Sequence, residues 1–83
     1  MRMQEKEIEE KVLALICKEF SIENTPELIA KDFVRDLRAD SLDTISLIMM
    51  IEDEFGIMIP NEEAEALMSP KQVVEYIYQK LNG

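Results

Sequence analysis

The sequence predicts an all-α fold, a four-helix bundle of three longer helices and one short third helix, with a long loop between the first and second helices. Three observations carry this. Apolar residues recur at helical spacing in three separate segments, and capping or terminating residues punctuate the ends of those segments. In addition, a chain of 83 residues, 47% of them apolar, 6% aromatic and none of them tryptophan, has material for one small aliphatic core and no more. Residues 1–83 are therefore expected to form a single domain.

The first helix is expected from about residue 4 to residue 18, because Ile8, Val12, Leu15 and Ile16 fall on one face, with Leu13 and Phe20 at its margins and Glu and Lys opposite. Residues 19–40 carry no sustained period. A loop of that length in a small domain needs its own anchors, and Leu28, Ile29, Phe33, Val34 and Leu37 are the candidates. Thr25 before Pro26 reads as a helix cap with proline at the first helical position, predicting a helical turn across Glu27–Ile29. The second helix is expected to start at Asp40 or Ser41 and to stop at Gly56, glycine being the usual left-handed terminator. Pro60 and Asn61 introduce a short helix through Met68, with Glu62 and Glu63 in its first turn. Ser69, Pro70 and Gln72 form a predicted capping box for the last helix, whose inner face is Val73, Val74, Ile77 and Leu81 and which Asn82 and Gly83 end.

Composition excludes several classes of function. The net charge of −9 argues against nucleic-acid binding, which needs clustered Lys and Arg. The charge is also uneven: residues 36–65 hold nine acids against one base, Arg38. Such a field steers cationic protein surfaces toward the middle of the chain, and it disfavours self-association, so a monomer is expected. Cys17 is the only cysteine and can make no internal disulfide, which favours a reducing compartment. The opening "MRMQEKEIEEKV" lacks the apolar run of a signal peptide and turns acidic at Glu5, and no apolar run approaches a membrane span. A cytoplasmic protein without membrane insertion is expected.

The second helix carries more apolar residues than one buried face can use. On a wheel of about 100° per residue, Leu47, Ile48, Ile51 and Phe55 occupy roughly a third of the circle and form the core face. Leu42, Ile45 and Met49 fall clear of it, with Glu52 and Asp53 on either side. Either the helix is buried on most sides, or the second stripe docks other proteins, its aliphatic anchors desolvated and its acids steering. A bundle this small has little volume with which to cover a helix completely, which favours docking. Six methionines suit a surface that adapts to several partners, though Met also fills cores.

Ser41 stands at the start of that helix, where it could simply cap free N–H groups together with Asp40. It is no catalytic nucleophile in its own right: the chain has no histidine to activate it, and neighbouring residues on a helix do not face each other. Cys17 likewise lacks a base. "EDEFG" has none of the alternating ligands of a calcium loop, and glycine, confined to positions 56 and 83, builds no phosphate-cradling loop. If Ser41 reacts, another enzyme must activate it.

The stretch "DLRADSLDTISLIMMIEDEFGIMIPNEEAEAL" resembles the central signature of the acyl carrier proteins, which commonly runs close to D-L-G-A-D-S-L-D-x-[VI]-E-L-x-x-x-[IL]-E-E-E-F-x-x-x-I-P-[DN]-E-E-A. The likeness continues through "SPKQVVEYI" and covers nearly the whole chain. It implies a four-helix bundle and a 4′-phosphopantetheine arm joined to Ser41 by a holo-acyl-carrier-protein synthase, which takes the arm from coenzyme A. Acyl groups ride on the arm as thioesters and are presented to fatty-acid-synthesis enzymes, whose basic patches read the outward stripe: Asp40, Leu42, Asp43, Ile45, Met49, Glu52 and Asp53 in this chain. By the same resemblance an acyl chain folds between the helices, and Ile51, Ile59, Ala64 and Leu67 are the expected lining. This chain departs from the pattern at Arg38, where glycine is usual, at Ser46, where glutamate is usual, and at Met50, where a small residue is frequent. These departures keep alternatives open: a specialised carrier for polyketide, peptidyl or D-alanyl chemistry, or an unmodified acidic helical interaction module.

Overall fold

The computed structural model describes residues 3–83. Its helices are α1 (Glu5–Phe20), α2 (Ser41–Phe55), α3 (Asn61–Glu65) and α4 (Pro70–Asn82), and a single 3₁₀ turn, Leu28–Ala30, interrupts the loop between α1 and α2. The all-α architecture with a short third helix is the one expected. No helix among the described residues is long and apolar enough to cross a membrane.

Helix α1 packs against both α4 and α2, and the core lies where they meet. Ile8, Val12 and Ile16 of α1, Ile51 of α2, and Val73 and Ile77 of α4 are fully enclosed. Each such aliphatic side chain stabilises the fold by about 1.5–3 kcal/mol relative to exposure. The solvent-facing ion pair of Lys11 with Glu54, at 3.2 Å, contributes at most about 1 kcal/mol. Aliphatic contact therefore holds the helices together. Leu13, expected at the margin of the α1 face, is buried, while Leu15, expected on that face, is only partly so.

The long loop has the anchors that its length required. Leu28 and Phe33 are buried, Ile29 and Leu37 partly buried, and the Phe33 ring stacks on Phe20 at 6.4 Å between centroids. Val34 departs from expectation: it is 68% exposed, and Ala39 is buried instead. The helical turn also lies one residue later than predicted, because the Thr25 carbonyl accepts the Leu28 N–H at 3.0 Å and makes Pro26 and Glu27 part of a preceding turn. Asp32 organises the rest, its carboxylate accepting from the N–H groups of Val34 (2.9 Å) and Arg35 (2.8 Å). Asp36 accepts the Asp32 N–H at 2.8 Å; that bond, aided by the Arg35 guanidinium, holds its carboxyl below the ordinary value.

Helix ends follow local chemistry. Helix α1 extends to Phe20, two residues past expectation, and is closed by Ser21 in the left-handed region at φ 55°, whose N–H donates to the Cys17 carbonyl. Helix α2 stops where expected, with Gly56 at φ 65° donating to the Glu52 carbonyl at 2.9 Å. Helix α3 ends at Glu65, short of the predicted Met68. The N–H groups of Ala66 and Leu67 bond three residues back, the Met68 N–H goes to the Gln72 side chain at 2.7 Å, and the Met68 carbonyl takes the Phe33 N–H at 2.9 Å. The same competition halves the predicted capping box of α4: Ser69 Oγ accepts the Gln72 N–H at 3.3 Å, but the Gln72 side chain reaches Met68 rather than Ser69.

The start of α2 is held by a reciprocal pair. Asp40, in extended conformation, accepts the Asp43 N–H at 2.9 Å, and the Asp43 carboxylate accepts the Asp40 N–H at 3.1 Å. Ser41 is the first helical residue and takes no part. Loss of a capping carboxylate costs about 1 kcal/mol. In urea unfolding, Asp40→Ala should therefore lower the unfolding free energy by about 1 kcal/mol, whereas Ser41→Ala should change it by less than about 0.5.

Candidate functional site

Helix α2 is buried on one side only. Leu47 and Ile51 are buried and Ile48 and Phe55 partly so, as the core stripe requires. On the other side Leu42 is 75% exposed, Ile45 55% and Met49 61%. Asp40 and Asp53 are exposed beside them, and Asp43 and Glu52 are half-buried. The outward stripe thus exists as an apolar strip rimmed by carboxylates, the arrangement that a basic partner surface complements.

Ser41 is exposed at the end of this strip, and its side chain makes no hydrogen bond within the described residues. Two neighbours perform the work that could have occupied it. Asp40 supplies the cap, and Thr44 Oγ1 donates to the Asp40 carbonyl at 3.1 Å. The hydroxyl of Ser41 is left at the positive end of a helix, a setting that favours a phosphate group.

A cleft of about 770 Å³ opens beside Ser41. One wall is α2, through Ser41, Ile45, Ile48 and Glu52, which lie at steps of four, three and four residues and so form one line along the helix. Ile59, Ala64 and Glu65 form the opposite wall, and Val34 and Ala39 of the long loop close one end. Of the four residues expected to line a chain-binding pocket, Ile59 and Ala64 are in this wall. Ile51 and Leu67 are not: Ile51 is fully enclosed in the core, and Leu67 packs against the core from its edge. The line from Ser41 to Glu52 runs along the border between the two stripes, so assigning each residue to one stripe or the other concealed it. The spacing itself was the available signal.

Carboxylate hydrogen bonds hold the far wall. Glu52 accepts the Ile59 N–H at 2.8 Å, and Tyr76 of α4 donates its hydroxyl to Glu63 of α3. Neither tie was evident in the sequence. Burial, the bond to Glu63 and the negative charges of Glu63 and Glu52 push the Tyr76 hydroxyl up to about 12. Among the described residues no three potential metal ligands converge.

The three departures from the resemblance have distinct structural contexts. Arg38 is exposed and adopts φ 57°, a left-handed conformation that suits glycine and crowds any other side chain. Ser46 donates its hydroxyl to Glu19 at 2.9 Å, joining α2 to the end of α1. Met50 is half-buried and borders a shallow hollow with Ser46, Met49 and Asp53.

Residues 10–77 match the family model described as "Phosphopantetheine attachment site". The chain is 42% identical over 79 residues to an acyl carrier protein of Thermosynechococcus vestitus, covering 95% of this chain and 98% of that protein. It is 43% identical over 81 residues to an acyl carrier protein of Akkermansia muciniphila, covering 98% of this chain and 100% of that protein.

The raised Tyr76 pKa carries a pH prediction. A phenol whose pKa rises on folding, from 10.0 to about 12, contributes stability that is complete below pH 10 and is lost as the pH climbs through about 12. Urea unfolding across that alkaline range should show a decline in the wild type that Tyr76→Phe lacks; parallel pH profiles for the two proteins would count against the Tyr76–Glu63 tie.

Proposed function

The chain belongs to the acyl carrier protein family, and from that premise we propose that Ser41 Oγ is the atom to which its 4′-phosphopantetheine is joined. The protein is a carrier and not a catalyst. When bound, the arm supplies a terminal thiol that holds acyl groups as thioesters.

The observation that carries the assignment of Ser41 is its idle, exposed hydroxyl at the first position of α2, beside a cap that works without it. The N–H groups of Ser41 and Leu42 have no acceptor among the described residues, so they remain for the phosphate oxygens of a diester. The chain has no histidine, and Asp40 is already engaged with Asp43, so the base that activates Ser41 belongs to the modifying synthase. Family membership implies that synthase and fatty-acid-synthesis enzymes as partners.

Within this reading the residues of α2 divide their tasks. Leu42, Ile45 and Met49 anchor the partner, while Asp40, Asp43, Glu52 and Asp53 meet its basic side chains. The cleft beside Ser41 shelters the acyl chain, with Ile45, Ile48, Ile59 and Ala64 supplying apolar contact at about 0.8 kcal/mol per buried CH₂. The whole chain acts as one carrier domain. Its lone, unbridged Cys17 suits a reducing cytoplasm.

Incubation with coenzyme A and a phosphopantetheinyl transferase tests the assignment. Intact mass should rise by one arm in the wild type and stay unchanged in Ser41→Ala, with circular dichroism used to check that the variant folds. A gain of mass in Ser41→Ala, or none in the wild type, would move the attachment elsewhere or remove it.

A further inference from the structure

One edge of the exposed strip lacks an acid of its own. Ser46, Met49, Met50 and Asp53 lie at steps of three, one and three residues, so they share a face of α2, and with Glu52 they line a shallow hollow. Asp53 puts an exposed carboxylate at one end of it. At the other end α2 offers only the hydroxyl of Ser46, in the position where the family pattern has glutamate.

A carboxylate stands there nonetheless, and it comes from α1. Ser46 donates its hydroxyl to Glu19 at 2.9 Å, which holds the acid against α2. Glu19 is half-buried and has no ion-pair partner among the described residues. It lies in the last turn of α1, where the negative end of the helix disfavours a carboxylate. The hydrogen bond needs only an acceptor oxygen, which glutamine also supplies. Neither the helix nor the bond to Ser46 therefore accounts for a charge at position 19.

Between the two acids the hollow is lined by thioethers. Met49 is 61% exposed and Met50 half-buried, flexible apolar side chains that suit the methylene stem of a lysine or arginine whose cation reaches toward the carboxylates. We propose that Glu19 belongs to the docking surface: with Asp53 it brackets the Met49–Met50 hollow as the seat of one basic side chain of the docked enzyme, and Ser46 positions it there. The proposal rests on the carrier reading above. The recognition surface then runs from α2 onto the end of α1, and a partner reads the packing of the two helices together with the sequence of α2.

The test is the kinetics of arm transfer by a holo-acyl-carrier-protein synthase at low salt. Glu19→Gln, which keeps an acceptor for Ser46 and removes only the charge, should raise KM about threefold with kcat unchanged, and high salt should erase the difference. Ser46→Ala, which frees Glu19, should raise KM about twofold. Glu75→Gln, which removes an exposed charge from α4, should leave KM at the wild-type value. Ser46→Glu added to Glu19→Gln supplies the acid from α2 itself and should restore KM. A bond with a structural task alone would lower the unfolding free energy of Ser46→Ala and leave KM unchanged in Glu19→Gln. That result would overturn the proposal, as would a double variant no better than Glu19→Gln. Failure of the carrier reading is separately visible, as a wild type that gains no arm. Hexalysine then probes the hollow in the unmodified chain: it should shift the amide resonances of Ser46, Met49 and Met50 at low salt, with binding about threefold weaker in Glu19→Gln. Equal binding by the two proteins would overturn the proposal.

Discussion

The reciprocal hydrogen bonds between Asp40 and Asp43 are the constraint on which the candidate attachment site depends. A helix must satisfy its first N–H groups, and serine is among the residues best suited to do so. Here the aspartates on either side of the Ser41–Leu42 pair perform that task for each other, at 2.9 and 3.1 Å. Ser41 is consequently helical, exposed and unbonded, with its hydroxyl available to a modifying enzyme. Packing sets the rotation of α2: Leu47 and Ile51 face the core, while Leu42, Ile45 and Met49 face water.

That rotation gives α2 three working sides rather than two. One is the core stripe, one is the exposed apolar strip, and the border between them is the line from Ser41 through Ile45 and Ile48 to Glu52 that walls the cleft. Among the described residues no helix covers the strip, and Leu42, Ile45 and Met49 stay exposed. Exposed aliphatic side chains of this extent normally invite self-association, and the concentration of carboxylates around them opposes it through like-charge repulsion. The same charges suit a basic partner surface. In the proposed reading the carrier works through an attachment point, a recognition strip and a shelter.

Much of this was legible in the sequence because it is local. The α2 boundaries followed from Asp40 and Gly56, and the exposed stripe from the positions of Leu42, Ile45 and Met49. What stayed hidden depends on contacts between distant segments. Ile59 and Ala64 were expected in the cleft only through the family resemblance, and Val34 was not expected there, because no periodicity in residues 19–40 announces it. The early end of α3 and the half-made capping box of α4 share one cause, the capture of Met68 by the Gln72 side chain and by Phe33 of the long loop. Ile51 was expected in the cleft and belongs to the core, because one residue, about 100° of rotation, separates it from Glu52 in the cleft wall. Arg38 carries a bulky side chain at a φ of 57°, where the family pattern has glycine.

If capping and attachment are separate tasks of adjacent residues, filling the attachment point must leave the helix as firmly held as before. The most direct measurement is the unfolding free energy of the unmodified and the arm-bearing protein, compared in urea under identical low-salt conditions. The account predicts a modified protein at least as stable as the unmodified one, with a gain of up to about 1 kcal/mol from a phosphate at the positive helix end. A loss of about 1 kcal/mol or more on modification would contradict it, for that is the signature of a serine whose hydroxyl had been capping α2 all along.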